Sequence, residues 1–74
     1  MSDVEAGVYE IVGRVLGSRE WTPKSDFFDV GGSSLGAIQI VGMVEERFGV
    51  RVSLTDFFDA PDLETFAALV VERH

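Results

Sequence analysis

The sequence predicts an all-α fold, a small four-helix bundle of three longer helices and one short helix with a long loop between the first two. Three observations point there. Apolar residues recur at three- and four-residue spacing in three separate segments. Residues suited to capping precede the helical segments, and glycine follows two of them. Only one short run, Val50-Arg51-Val52, alternates like a strand, and it has no second strand to pair with, so it reads as an extended connector.

The first helix is expected over Asp3 to Leu16, where Val4, Val8, Ile11, Val12, Val15 and Leu16 form the apolar stripe. Ser2 and Glu5 have the spacing of a capping box, and Gly17 suits the left-handed turn that ends a helix. Gly7 and Gly13 each weaken such a helix by roughly 1 kcal/mol relative to alanine, so packing must hold it. From Ser18 to Ser33 no periodic pattern persists, and Pro23, Gly31 and Gly32 punctuate a connecting loop. Trp21, Phe27 and Phe28 are the apolar anchors expected to pin that loop onto the helices.

A second helix is expected over Ser34 to Phe48, burying Ala37, Ile40, Val41, Val44 and Phe48 and closing at Gly49. Gln39, Gly42, Glu45 and Glu46 fall away from that stripe, while Leu35, Ile38 and Met43 lie at its edges. Ser53 and Asp56 have capping-box spacing ahead of a short third helix bearing Leu54, Phe57 and Phe58, which ends before Pro61. Asp62 then caps a last helix carrying Leu63, Phe66, Ala67, Leu69 and Val70. The aromatics Phe27, Phe28, Phe57 and Phe58 read as core anchors.

Size and composition exclude several functions. Seventy-four residues make a single domain, 1–74, too small for a nucleotide-binding sheet with a substrate pocket. The chain has no cysteine, and its one histidine is the terminal His74, so it offers no thiolate chemistry, no evident metal site and no catalytic dyad. Asp26, Asp29, Asp56 and Asp59 lack the order of a calcium-binding loop and read as a solvated acidic surface. Thirteen acidic against six basic side chains give a net charge of −7, which disfavours nucleic acid and anionic membranes and favours protein partners with basic faces. The N-terminus lacks the basic-then-apolar order of a secretory signal, so a cytoplasmic monomer is expected.

The most informative run is Asp26-Phe27-Phe28-Asp29-Val30-Gly31-Gly32-Ser33-Ser34-Leu35. It places a hydroxyl at a helix start behind two glycines, which keep the approach clear of β-carbons and permit positive φ. Unpaired N–H groups at that helix start would favour a phosphate on Ser34. Formally, Gly32-Ser33-Ser34-Leu35-Gly36 also matches the nucleophile elbow of α/β-hydrolases. That reading needs a preceding buried strand, a parallel sheet and a histidine base, and the sequence supplies none of them in place.

This run resembles the motif of peptidyl carrier (thiolation) domains of nonribosomal peptide synthetases, Asp-x-Phe-Phe-x-x-Gly-Gly-[Asp/His]-Ser-[Leu/Ile], begun here one residue tighter. Glu46-Arg47-Phe48-Gly49-Val50 and Leu54-Thr55-Asp56-Phe57-Phe58-Asp59-Ala60-Pro61 resemble the same family, so the likeness covers nearly the whole chain. It implies a bundle of acyl carrier protein type. It also implies that Ser34 receives 4′-phosphopantetheine covalently from coenzyme A through a phosphopantetheinyl transferase. The arm would then hold an aminoacyl or acyl group as a thioester. The chain itself would not be an enzyme, and its catalytic partners would be adenylation or other loading enzymes and condensation, thioesterase or tailoring enzymes.

Ser33 stands where the family more often has Asp or His, which bears on partner preference and arm orientation; as a helix cap it leaves Ser34 as the attachment residue. By the same resemblance partners should meet Val30, Ser33, Leu35, Gly36, Gln39, Gly42, Met43 and Glu46, with Gly36 and Gly42 flattening the face. The stretch from Gly36 to Met43 carries no carboxylate, which tilts docking toward apolar contact. The alternatives are an acyl carrier protein of a polyketide or fatty-acid pathway, or a helical adaptor without the arm. A methionine start and the absence of Pro- or Ala-rich linkers point to a free-standing carrier.

Overall fold

In the computed structural model, which describes residues 1–74, four helices follow one another: α1 (Asp3–Leu16), α2 (Ser34–Phe48), α3 (Leu54–Asp59) and α4 (Leu63–Arg73). α1 packs against both α2 and α4, and the short α3 packs against α2. There is no strand; Val50 and Val52 bury their side chains from an extended connector.

Four side chains start the four helices. Ser2 Oγ accepts from the Glu5 N–H at 3.1 Å, Ser33 Oγ from Gly36 at 3.1 Å, Ser53 Oγ from Asp56 at 3.0 Å and Asp62 Oδ1 from Thr65 at 2.8 Å. Each bond satisfies an N–H that has no partner inside its own helix. Gly17 and Gly49 close α1 and α2 in the left-handed conformation, with φ of 68° and 67°.

The three apolar stripes converge on one core. Val8, Ile11 and Val12 of α1 meet Ala37, Ile40, Val41 and Val44 of α2 and Leu63, Phe66, Ala67 and Val70 of α4. Burying a side chain of this size stabilises the fold by about 1.5–3 kcal/mol, which is how helices containing glycine persist. Glu45 is not a purely outward residue, because its carboxylate accepts from the Val52 N–H at 3.1 Å and ties the connector back to α2.

The long loop is fastened to the start of α4, to α1 and to the core. The Ser25 and Pro23 carbonyls accept from Leu63 and Glu64 at 3.0 and 2.8 Å, supplying partners for the first N–H groups of α4. Lys24 pairs with Glu64 across the same junction. Trp21 lies over Tyr9 with ring centroids 6.0 Å apart and donates from Nε1 to the Ser18 carbonyl at 2.9 Å. Phe27 enters the core.

Three expectations need correcting. Only half of the Ser2–Glu5 capping box forms, because the Glu5 carboxylate accepts from the Tyr9 hydroxyl one turn on, at 3.2 Å. Burial, reinforced by Glu5, pushes the Tyr9 hydroxyl up to about 12. Gly7 is a packing requirement more than a weakness, since a Cβ there would run into the Phe48 ring. Phe28 and Phe58 are not core anchors: they are 41% and 46% exposed and stack on each other at 5.5 Å. Their neighbours Phe27 and Phe57 take the inward positions.

Gly7→Ala should therefore cost about 1–3 kcal/mol through overpacking against Phe48. Gly13→Ala, whose Cβ meets Trp21 at an ordinary 3.6 Å, should instead gain up to about 1 kcal/mol. Thermal unfolding separates the two, because about 1 kcal/mol moves the midpoint by roughly 4–8 °C in a domain of this size.

Asp56 and Asp62 titrate below the usual carboxylate range. For Asp56 the causes are the Ser53 N–H and then the Arg73 guanidinium; for Asp62 they are the Thr65 hydroxyl and N–H. A folded pKa below the unfolded one makes the unfolded chain bind more protons, so their stabilisation is full above about pH 4 and lost as pH falls through the folded values. The melting temperature of the Asp56→Asn, Asp62→Asn double variant should fall less steeply below pH 4 than that of the wild type.

Candidate functional site

The end of the loop is built so that one serine hydroxyl is left free. Asp26 begins the turn: its Oδ1 accepts from the Phe28 N–H at 2.8 Å, so this aspartate is a structural acceptor and not only surface charge. The Gly32 N–H donates to the Phe27 carbonyl at 3.0 Å and closes the turn. Gly31 has a φ of 99°, a region closed to most side chains. Gly32 is required for a different reason, because a Cβ there would enter the Phe27 ring.

After the glycines the two serines divide the work. Ser33 is extended, with φ −119° and ψ 167°, and its Oγ caps Gly36. Ser34 is the first residue of α2, exposed, and its hydroxyl enters none of the side-chain hydrogen bonds that build the turn. The Ser34 and Leu35 N–H groups have no intrahelical acceptor at this position. No acidic residue occupies the first turn of α2, so no carboxylate within that turn offsets the positive end of the helix. An exposed hydroxyl beside unpaired N–H groups, approached over two glycines, fits a phosphate ester on Ser34.

The hydrolase pattern does not acquire its machinery. No strand precedes Ser34, and the His74 ring stands edge-on to Phe48 at 6.2 Å. Phe48 ends α2 at the opposite end from Ser34, about 20 Å away at 1.5 Å per residue. No three Asp, Glu or His side chains gather to form a metal-binding group.

Of the residues expected on a docking face, Ser33, Leu35, Gln39, Gly42 and Glu46 are exposed, and Val30 and Met43 are half-buried. Gly36 is a correction. It is buried, and a Cβ there would stand 3.1 Å from both the Phe27 ring and Val15, so it receives the loop and does not flatten an outer face. Gly42 is open, with nothing within 4 Å of a Cβ. Leu35 and Ile38 are 65% and 53% exposed beside Ser34, and Phe28 and Phe58 add a further exposed apolar pair. The doublets Phe27-Phe28 and Phe57-Phe58 were the available signal for that pair, since two adjacent aromatics seldom share one face.

The family model described as the phosphopantetheine attachment site matches residues 6–70. The chain belongs to the phosphopantetheine-attachment family. The group that such a domain carries is 4′-phosphopantetheine derived from coenzyme A. Among curated relatives, it is 46% identical over 56 residues, 76% of this chain, to a PKS-NRPS hybrid synthetase of Chaetomium globosum, cheA. It is 33% identical over 66 residues, 89% of the chain, to surfactin synthase subunit 1 of Bacillus subtilis, and 34% over 68 residues, 92% of the chain, to bacitracin synthase 1 of Bacillus licheniformis. The chain spans only 1–2% of the length of these proteins. A solved peptidyl carrier protein, in complex with the phosphopantetheine transferase Sfp and coenzyme A, superposes with a TM-score of 0.88 at 30% identity, covering 99% of this chain and 95% of that one. The four-helix carrier fold is therefore established. No helix is long and apolar enough to cross a membrane.

The division between the serines gives a direct expectation. Ser33→Ala removes a helix cap and should cost about 0.5–2 kcal/mol, whereas Ser34→Ala removes no protein contact and should leave the melting temperature within the scatter of surface substitutions. Equal losses in the two thermal melts would contradict this assignment.

Proposed function

We propose that this domain is a peptidyl carrier of nonribosomal peptide or related secondary-metabolite biosynthesis, with Ser34 Oγ as the attachment atom of 4′-phosphopantetheine. One observation carries the choice of residue: of the two adjacent hydroxyls at the start of α2, Ser33 is held in the cap while Ser34 is free and exposed. The peptidyl carrier neighbour and the synthetase relatives support the same reading.

When attached, the group supplies a mobile arm whose terminal thiol holds an aminoacyl or acyl cargo as a thioester. The chain's own residues do the rest. Ser34 Oγ would give up its proton and bond to the phosphorus of the arm as the pyrophosphate linkage of coenzyme A breaks and adenosine 3′,5′-bisphosphate leaves, and the Ser34 and Leu35 N–H groups with the positive end of α2 favour the phosphate's negative charge. The domain catalyses nothing; the base that takes the serine proton belongs to the transferase, since His74 lies at the far end of α2. With no cysteine in the chain, the arm supplies the one thiol of the modified domain before cargo is attached.

The partners in this reading are a phosphopantetheinyl transferase, a loading enzyme such as an adenylation domain, and condensation, thioesterase or tailoring enzymes. They meet the domain around Val30, Ser33, Leu35, Gln39, Gly42, Met43 and Glu46, with Ile38 beside them. The domain comprises residues 1–74, acts as a monomer and works in the cytoplasm.

Incubation with coenzyme A and a broad-specificity phosphopantetheinyl transferase, followed by intact-mass measurement, tests the site. Wild type should gain one phosphopantetheinyl group and Ser34→Ala none; no gain in wild type, or equal gain in both, defeats the proposal. Ile38→Asp should retain the wild-type melting temperature yet raise the transferase KM by about tenfold, as expected for loss of an exposed apolar contact at a docking face.

A further inference from the structure

Ser34 has no contact of its own to fix its hydroxyl, so the position of that hydroxyl must be inherited from its neighbours. Phe27, seven residues earlier, is 4% exposed although it lies in the loop. Its ring presses on the chain at two places. A Cβ on Gly32 would enter the ring edge, and a Cβ on Gly36 would stand 3.1 Å from its Cζ. These two glycines bracket Ser34, two residues before it and two after it. The Ser33 Oγ bond to the Gly36 N–H ties the bracketed segment at 3.1 Å, and the Gly32 N–H bond to the Phe27 carbonyl closes the loop behind the ring at 3.0 Å.

The ring cannot retreat from this position. Phe57 of α3 stands edge-on to it at 5.1 Å and Phe28 at 5.3 Å, and Phe57 is backed by Phe66 of α4 at 4.8 Å. Phe27 is thus held by the core on one side and receives residues 32–36 on the other. Close-packed interiors of this kind pass small displacements on and do not absorb them.

We propose that Phe27 is a positioning residue for modification of Ser34: its ring is a wedge on which Gly32 and Gly36 seat, and that seating sets where the serine hydroxyl is presented. The proposal rests on Ser34 being the attachment atom. Phe27 touches neither the hydroxyl nor an incoming group and acts through the two glycines. The geometry predicts a compensation that a general contribution to stability does not. A methyl at position 32 displaces the loop when Phe27 is intact, and a smaller side chain at 27 makes room for that methyl.

The test compares wild type, Gly32→Ala, Phe27→Leu and the Phe27→Leu, Gly32→Ala double variant as transferase substrates. Rates are taken at a temperature where circular dichroism shows each variant fully folded. Gly32→Ala should lose roughly ten- to a hundredfold in kcat with little change in KM, the scale of an ångström-level misplacement of a reacting group. The double variant should recover most of that loss.

A second measurement does not depend on the transferase. In Phe27→Leu, hydrogen exchange at the Gly36 amide, bonded to Ser33, should accelerate at least about tenfold, while the Gly49 amide, bonded to Glu45 at the other end of α2, should not change. A folded Gly32→Ala modified as fast as wild type, a double variant no faster than Gly32→Ala, or an unchanged Gly36 amide each overturns the wedge. If wild type itself is not modified, the carrier reading fails and the exchange measurement alone decides whether Phe27 holds residues 32–36.

Discussion

The fold depends on burying a loop side chain, Phe27, among helices that would otherwise leave their longest connection untied. Ordering the backbone of each loop residue costs about 1–2 kcal/mol, and the segment between α1 and α2 has no ladder of regular hydrogen bonds to offset it. Two fastenings replace the ladder. The Phe27 ring joins the apolar core, and the Ser25 and Pro23 carbonyls satisfy the first N–H groups of α4. The second fastening solves two problems together, since those N–H groups would otherwise need another partner. From Phe27 the loop can then leave the core in a single turn and arrive at α2 with Ser34 outermost.

Most of this architecture was legible in the sequence because helix limits are written in local chemistry. Ser33, Ser53 and Asp62 each accept from the N–H three residues on, and Gly17 and Gly49 take the left-handed turn, so capping signals coincide with the observed boundaries. Local rules failed where a competing partner lay outside the motif. The Glu5 carboxylate has the spacing of a capping box but finds Tyr9, and Gly7 looks unfavourable until the Phe48 ring, from a helix far away in sequence, is placed against it. Spacing along one helix cannot show what another helix will lay upon it.

The candidate site shows the same division. The free serine behind two glycines, and the cap supplied by its neighbour, follow from residue types and order. The facing of Phe28 and Phe58 does not. Periodicity has little to act on in a six-residue helix or an aperiodic loop, so it could not decide which member of each Phe-Phe doublet turns outward. Gly36 stands four residues before Ile40 and eight before Val44, so helical spacing alone places it on the buried stripe; its expected place on a docking face came from the resemblance and not from the periodicity.

The junction between the loop and the start of α4 also bears on the order in which the chain folds. Lys24 and Glu64, which meet there, are 40 residues apart in sequence, and a contact of such separation closes a longer loop, at higher entropic cost, than any contact within one helix. Each helix carries its own cap, whereas the loop ahead of Ser34 is fastened in part by the first residues of α4. The segment that leads to Ser34 is thus tied through Pro23 and Ser25 to residues some forty positions further along the chain.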